Sequence, residues 1–293
     1  MTSKPSSQQQ RLNDINVAVD VSEGETRMSS ADLLTTDAVR RVARDVKDIT
    51  REPNDNIVYI HSTRSVNCGY AMVVGTPDTP YFCTPMFYKL VFPTDYPHSP
   101  PKMSFLTYAS PSGTPVRLHP NYYTNGKCCL SLLNSWNGDK WTGCQTLRSL
   151  LTTVLMTLTD DPITNEPGFS ARSEQNGPYS AVVVDACLSW IARFLTGKDK
   201  VRFCEDDVEN SEVNAQFRDE FIKRFVKDES YGKTVVKLLE AYPDAKASSR
   251  NAYVKWIRKY DNTEHSIYCY RASYRLAFEK TRVEAISALS SQE

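Results

Sequence analysis

Between Thr36 and Pro53 apolar residues recur at intervals of three and four, at Val39, Val42, Val46 and Ile49, while Arg40, Arg41, Arg44 and Lys47 take the remaining faces. That period predicts an amphipathic helix, closed by the proline. Four runs rich in β-branched and aromatic residues follow at about 57–62, 69–75, 86–92 and 102–107, separated by Gly, Pro, Asn and Asp clusters short enough for hairpins. They predict an antiparallel meander. From about 109 to 145 the periodicity is lost, and an irregular stretch of that length inside a compact domain is usually functional. Leu147, Leu150, Leu151, Val154, Leu155 and Leu158 then mark one face of a helix that must lie on the sheet, ended by Pro162. A further helix is expected from Tyr179 to Leu195, begun by Pro178 and stopped by Gly197. The fold class predicted is α+β: an N-terminal helix, a four-stranded antiparallel meander, an irregular active-site region and a central helix packed on the sheet.

The flanks differ from this core. Residues 1–35 are rich in Ser, Gln, Thr, Asp and Glu without periodicity, and a disordered leader is expected. The core domain is expected over 36–197 and a helical C-terminal extension over 198–293, with helices near 211–227, 231–241, 249–260 and 266–289. Aromatic residues stripe the extension, at Phe217, Phe221, Phe225, Tyr253, Trp256, Tyr260, Tyr268, Tyr270 and Tyr274. Such a stripe is either helix-packing core or a binding surface.

Composition narrows the function. Lys plus Arg equals Asp plus Glu at 35 each, so the chain lacks the basic excess of a general nucleic-acid binder. No window approaches a membrane span in length and apolarity, and no secretory signal opens the sequence. The eight cysteines, at 68, 83, 128, 129, 144, 187, 204 and 269, include no Cys-x-x-Cys pair, and only four histidines accompany them. No metal site is expected, and the thiols suit a reducing cytoplasmic or nuclear compartment. A single functional cysteine is the chemistry to look for. Cys128 and Cys129 are neighbours, and an extended chain points neighbours to opposite sides, so one of the two faces an open groove.

The segment His119-Pro120-Asn121-Tyr-Tyr-Thr-Asn-Gly126-Lys127-Cys128-Cys129-Leu130-Ser131-Leu132 resembles the active-site region of ubiquitin-conjugating enzymes: His-Pro-Asn, then Gly-x-(Ile/Val)-Cys-Leu, with the cysteine eight residues after the asparagine. Gly75-x-Pro77-x-Thr79-Pro80-Tyr81 and Phe92-Pro93-x-Asp95-Tyr96-Pro97-x-x-Pro100-Pro101-Lys102 match two further family marks in the right order. Cys-Leu-Ser-Leu-Leu, the Trp136-x-Gly138-x-x-Trp141 spacing, Asn165-Glu166-Pro167-Gly168-Phe169 and the long extension are similar to the large, C-terminally extended members of the Z type.

The resemblance implies a ubiquitin-conjugating fold over about 36–195 and a cysteine acyltransferase. Its register makes Cys129 the nucleophile that carries ubiquitin or a ubiquitin-like modifier as a thioester, and Cys128 a core filler. It gives Asn121 the task of hydrogen-bonding the oxyanion or holding the loop that does; the alternative from residue type alone is a turn cap. His119, Pro120, Gly126, Leu130 and Ser131 support the site, and His119 is expected to be structural. Ser131 replaces the family's usual Asp, and Glu174 is a candidate by location for the acidic residue many members carry after the central helix. Cys83-Thr84 replaces a glycine pair and is expected to alter turn shape. The activating enzyme is expected to meet Arg40, Arg41, Arg44 and Lys47. A ligase is expected to meet Pro97, His98 and Pro100 with Trp141, Thr142, Gly143 and Cys144, although His98 stands where many members have Phe and Gly143 where Pro is usual. No cofactor is implied, since ATP is used by the activating enzyme. The competing class is a catalytically silent scaffold that retains the fold.

Overall fold

The computed structural model describes residues 34–107, 116–197 and 200–226. The expected leader up to Leu33, the helices expected beyond Val226 and the aromatic residues from Tyr253 onward lie outside the described residues. Helix α1, Thr36–Arg51, begins where the Thr35 hydroxyl accepts the Ala38 N–H at 3.2 Å and buries Ala38, Val42, Val46 and Ile49. Strands β1 (Ile57–His61), β2 (Cys68–Val74), β3 (Pro85–Val91) and β4 (Lys102–Phe105) form one antiparallel sheet in chain order. Helix α2, Leu147–Thr157, starts at a reciprocal cap between Thr146 and Ser149. Helix α3, Asn176–Leu195, begins three residues before the expected Tyr179. Helix α4, Asp207–Phe221, is capped by Asp206 and continues into a π-helical turn, Ile222–Val226. Among the described residues no helix is long and apolar enough to cross a membrane.

Cross-strand partners share a face, so the register places Tyr59, Ala71, Tyr88 and Phe105 on one side of the sheet and Val58, Met72 and Phe87 on the other. Every residue of β2 is buried, which requires cover on both faces. The first face carries the hairpin described below, through Tyr122 stacked on Phe105 with ring centroids 5.3 Å apart. The second is covered by aromatic rings from α3 and the residues after it. Phe194, Phe203 and Phe217 lie 5.3, 5.5 and 5.3 Å from Phe87, and Phe203 lies 5.3 Å from Tyr70.

Residues 201–226 therefore share the core of the sheet. The buried Glu209 carboxylate pins α4 to the β1–β2 turn by accepting the Ser62 hydroxyl at 2.6 Å and the Thr63 N–H at 2.9 Å. Arg224 donates to the carbonyl of Asn54 at 3.0 Å. For Phe217, Phe221 and Phe225 the packing alternative holds, as all three are buried in the core. Cys83 keeps a left-handed backbone, φ 55, at the turn into β3, a conformation glycine adopts at lower cost.

Phe217 is fully buried, so Phe217→Ala is expected to lower unfolding stability by about 3–5 kcal/mol. Urea denaturation of the full chain measures this directly. A change below about 1 kcal/mol would mean that α4 contributes little to the core.

Candidate active site

Three hydrogen bonds build the site from a short hairpin. Tyr123 N–H donates to the Lys127 carbonyl at 2.9 Å and Cys129 N–H to the Asn121 carbonyl at 2.8 Å, with Tyr122 and Cys128 bridged between them. Gly126 closes the turn by donating to Tyr123 at 2.9 Å, and its φ of 88 is a position that favours glycine. Because side chains alternate, Tyr122 and Cys128 project to one side while Asn121, Tyr123, Lys127 and Cys129 project to the other. Tyr122 and Cys128 join the apolar core of the sheet. Cys129 is buried as well, 3% exposed against 5% for Cys128, so neither thiol meets the expectation of facing an open groove; what separates them is that Cys128 belongs to the apolar cluster and Cys129 does not. Burial, with the Cys129 sulfur beside it, pushes the Cys128 thiol far above its usual range, so it holds almost no thiolate at neutral pH.

Asn121 breaks the backbone ladder to grip Cys129. In a regular pair its own N–H would bond the Cys129 carbonyl; instead that N–H donates to His119 Nδ1 at 3.0 Å, and the side-chain amide Nδ2 takes the Cys129 carbonyl at 2.6 Å. Both backbone polar groups of Cys129 thus end on one residue. His119 is fully buried and bonds the Thr157 carbonyl through Nε2 at 2.9 Å. With Nδ1 accepting and Nε2 donating, the ring is the neutral Nε2–H tautomer. Burial lowers its pKa to about 3, with the Thr157 carbonyl opposing and Arg117 assisting, which removes His119 as a general base. It ties the hairpin to the end of α2.

Ser135 escaped the sequence reading. Its hydroxyl accepts the Leu130 N–H at 3.1 Å and faces the carbonyls of Cys128 at 3.0 Å and Leu130 at 3.2 Å. The residues on either side of Cys129 are held there, as Cys129 is held by Asn121. Leu130 is buried and Ser131 opens a short 3₁₀ turn, Ser131–Leu133. A Cβ on Gly138 would come within 3.2 Å of Ser131 Cβ, so the following loop folds back over Ser131. Arg117 donates to the Pro120 carbonyl, packs 3.8 Å from the Tyr123 ring centroid and reaches Glu166 at 3.4 Å. The carboxylate brought against the hairpin is accordingly that of Glu166, whereas Glu174 lies exposed in the turn before α3.

The sequence profile of the family Ubiquitin-conjugating enzyme matches residues 41–177. The chain carries a domain of the ubiquitin-conjugating enzyme family. Ubiquitin-conjugating enzyme E2 Z of Xenopus tropicalis is 35% identical over 131 residues, covering 45% of this chain and 41% of that protein. The Homo sapiens protein of the same name is 37% identical over 131 residues, covering 44% and 36%. Probable ubiquitin-conjugating enzyme protein 17 of Caenorhabditis elegans is 31% identical over 183 residues, covering 58% and 25%. The expected likeness to the Z type is borne out by the first two, and the chain spans less than half the length of each of these curated relatives.

Within this conjugating-enzyme domain the expected partner-facing residues separate into two groups. Arg40, Arg44 and Lys47 are exposed on α1. Arg41 is held inward, paired with the buried Asp45 at 3.0 Å and donating to the carbonyls of Gly143, at 2.9 Å, and Gln145. Asp45 also accepts from the Tyr96 hydroxyl and, at 3.2 Å, from the Leu147 N–H. One buried carboxylate therefore joins α1, the Pro97 loop and the start of α2. Trp141 is buried between the two expected ligase loops, its indole N–H donating to Pro97 at 2.7 Å, while His98, Thr142, Gly143 and Cys144 remain exposed and Pro97 and Pro100 half-buried.

The His119 geometry sets a pH dependence. A histidine whose folded pKa is lowered binds fewer protons folded than unfolded, so its stability contribution is complete above about pH 6.5 and falls as pH drops below it. His119 alone is expected to remove about 2 kcal/mol of stability by pH 5. Partly buried His61, lowered to about 4, moves in the same direction. Urea midpoints between pH 7 and 5 are expected to fall steadily in the wild type and less steeply in His119→Gln. Equal slopes would contradict the buried neutral assignment.

Proposed function

We propose that this chain acts as a ubiquitin-conjugating enzyme, with Cys129 carrying ubiquitin or a ubiquitin-like modifier as a thioester. The observation that carries this reading is the hairpin alternation: of two adjacent cysteines, only Cys129 stands off the core and has its backbone bound at both ends by Asn121. In the first step the Cys129 thiolate attacks the thioester carbonyl of the charged activating enzyme, a tetrahedral oxyanion forms, and the activating enzyme's thiolate leaves. In the second, a substrate amine attacks the Cys129 thioester, loses its proton, and Cys129 leaves as thiolate. The energy arrives stored in the incoming thioester, so this chain needs neither ATP nor a metal for either step.

Asn121 serves both steps by fixing the Cys129 backbone and therefore where the oxyanion develops. Exposed Arg40, Arg44 and Lys47 supply a basic face for the activating enzyme, and the joined Pro97 and Trp141 loops a ligase face. Through Arg41 and Asp45 the two faces share one buried support.

Incubation with activating enzyme, ATP and labelled ubiquitin is expected to give an adduct that reductant removes on a gel. Cys129→Ala is expected to abolish it and Cys128→Ala to retain it. An adduct that survives Cys129→Ala would refute the assignment.

A further inference from the structure

The Cys129 Cα is the hinge between two peptide planes, and the direction of its Cβ follows from how those planes are turned. Each plane presents one carbonyl and one N–H. Asn121 takes the inner pair, accepting the Cys129 N–H at 2.8 Å and donating from Nδ2 to the Cys129 carbonyl at 2.6 Å. Ser135 takes the outer pair: its Oγ accepts the Leu130 N–H at 3.1 Å and lies 3.0 Å from the Cys128 carbonyl. A hydroxyl has one proton to give, and two carbonyls compete for it. That of Leu130, 3.2 Å away, already receives the N–H groups of Leu133 and Ser135, whereas among the described residues the Cys128 carbonyl has no other donor. The proton therefore goes to Cys128. Each plane is then gripped at both edges, once by Asn121 and once by Ser135, and the thiol keeps only its rotation about Cα–Cβ.

We infer that Ser135 is a positioning residue for acyl transfer at Cys129, the second half of a clamp whose first half is Asn121. The inference rests on the proposed thioester. Ser135 acts through the backbone: with the Cβ direction fixed, the thioester carbonyl is presented to the incoming amine in a narrow range of orientations, and a small misplacement of a reacting centre costs rate steeply. Ser135 itself lies exposed, so its substitution opens no core. Alanine leaves the Leu130 N–H and the Cys128 carbonyl to water, which can satisfy both groups separately without holding the two planes at a fixed angle. Threonine keeps the hydroxyl, and its added methyl can point to solvent.

The test uses the full chain charged with ubiquitin by activating enzyme and ATP, followed in single-turnover discharge to free lysine. Ser135→Ala is expected to lower the maximal rate about tenfold, with the half-saturating lysine concentration unchanged. Ser135→Thr is expected to restore the rate. Because each plane needs both of its edges held, adding Ser135→Ala to Asn121→Ala is expected to slow discharge little beyond Asn121→Ala alone. A wild-type maximal rate in Ser135→Ala, a change confined to the half-saturating lysine concentration, a Ser135→Thr rate no better than that of Ser135→Ala, or losses that multiply in the double variant overturns the inference while leaving the thioester standing. Absence of any reductant-sensitive adduct in the wild type overturns the thioester reading and this inference with it.

Discussion

Asn121 bonds both backbone polar groups of Cys129, and the other features of the site follow from that grip. The side-chain amide can reach the Cys129 carbonyl only because the Asn121 N–H is diverted to His119, which a neutral, buried imidazole permits and an imidazolium would not. His119 is fixed in turn by Thr157 at the end of α2, so the helix packed on the sheet sets the position of the hairpin. Ser135 holds the flanking residues from the other side of the chain. The proposed nucleophile, its backbone held at both ends by Asn121 and backed by His119, Thr157 and Ser135, is preorganised, and preorganisation is what acyl transfer through an oxyanion rewards.

The same logic extends outward. Asp45 is a buried carboxylate satisfied by Arg41, Tyr96 and the Leu147 N–H, and removing any of these partners would leave a costly unpaired group. It binds α1, the Pro97 loop and α2 into one support beneath the expected partner faces. On the far side of the sheet, Phe203 and Phe217 make residues 201–226 part of the core. A sheet face left bare of those rings would expose Tyr70, Met72 and Phe87 to water.

Much of this was legible in the sequence, and for identifiable reasons. The strands and α2 fell near the expected positions because apolar periodicity is a local signal. Alternation in extended chain separated the two cysteines by face, and Cys128 alone joins the apolar cluster. Both are buried, however, and neither faces an open groove as expected, because burial depends on loops that fold over the hairpin and leave no local pattern. Two further signals were present but unread. Asp45 sits on the apolar stripe of α1, between Val42 and Ile49, so a helical period already placed a carboxylate in the core. Cys68–Val74 runs apolar without alternation, the pattern of a strand covered on both faces, which anticipated the packing of the extension. Other contacts carry no local signature. Ser135 reaches Leu130 only after the loop folds back, and Glu166 rather than Glu174 nears the hairpin because Arg117, 49 residues earlier, comes to meet it. Arg41 resembles its basic neighbours in sequence and differs only in having a carboxylate one turn away that is buried.

The central claim is that the Asn121 amide makes Cys129 reactive by fixing its backbone, and single-turnover discharge of the charged protein to free lysine tests it most directly. Asn121→Ala is expected to charge with ubiquitin and then to discharge about 100-fold more slowly at saturating lysine, with the half-saturating lysine concentration unchanged. Discharge at the wild-type maximal rate would contradict the account.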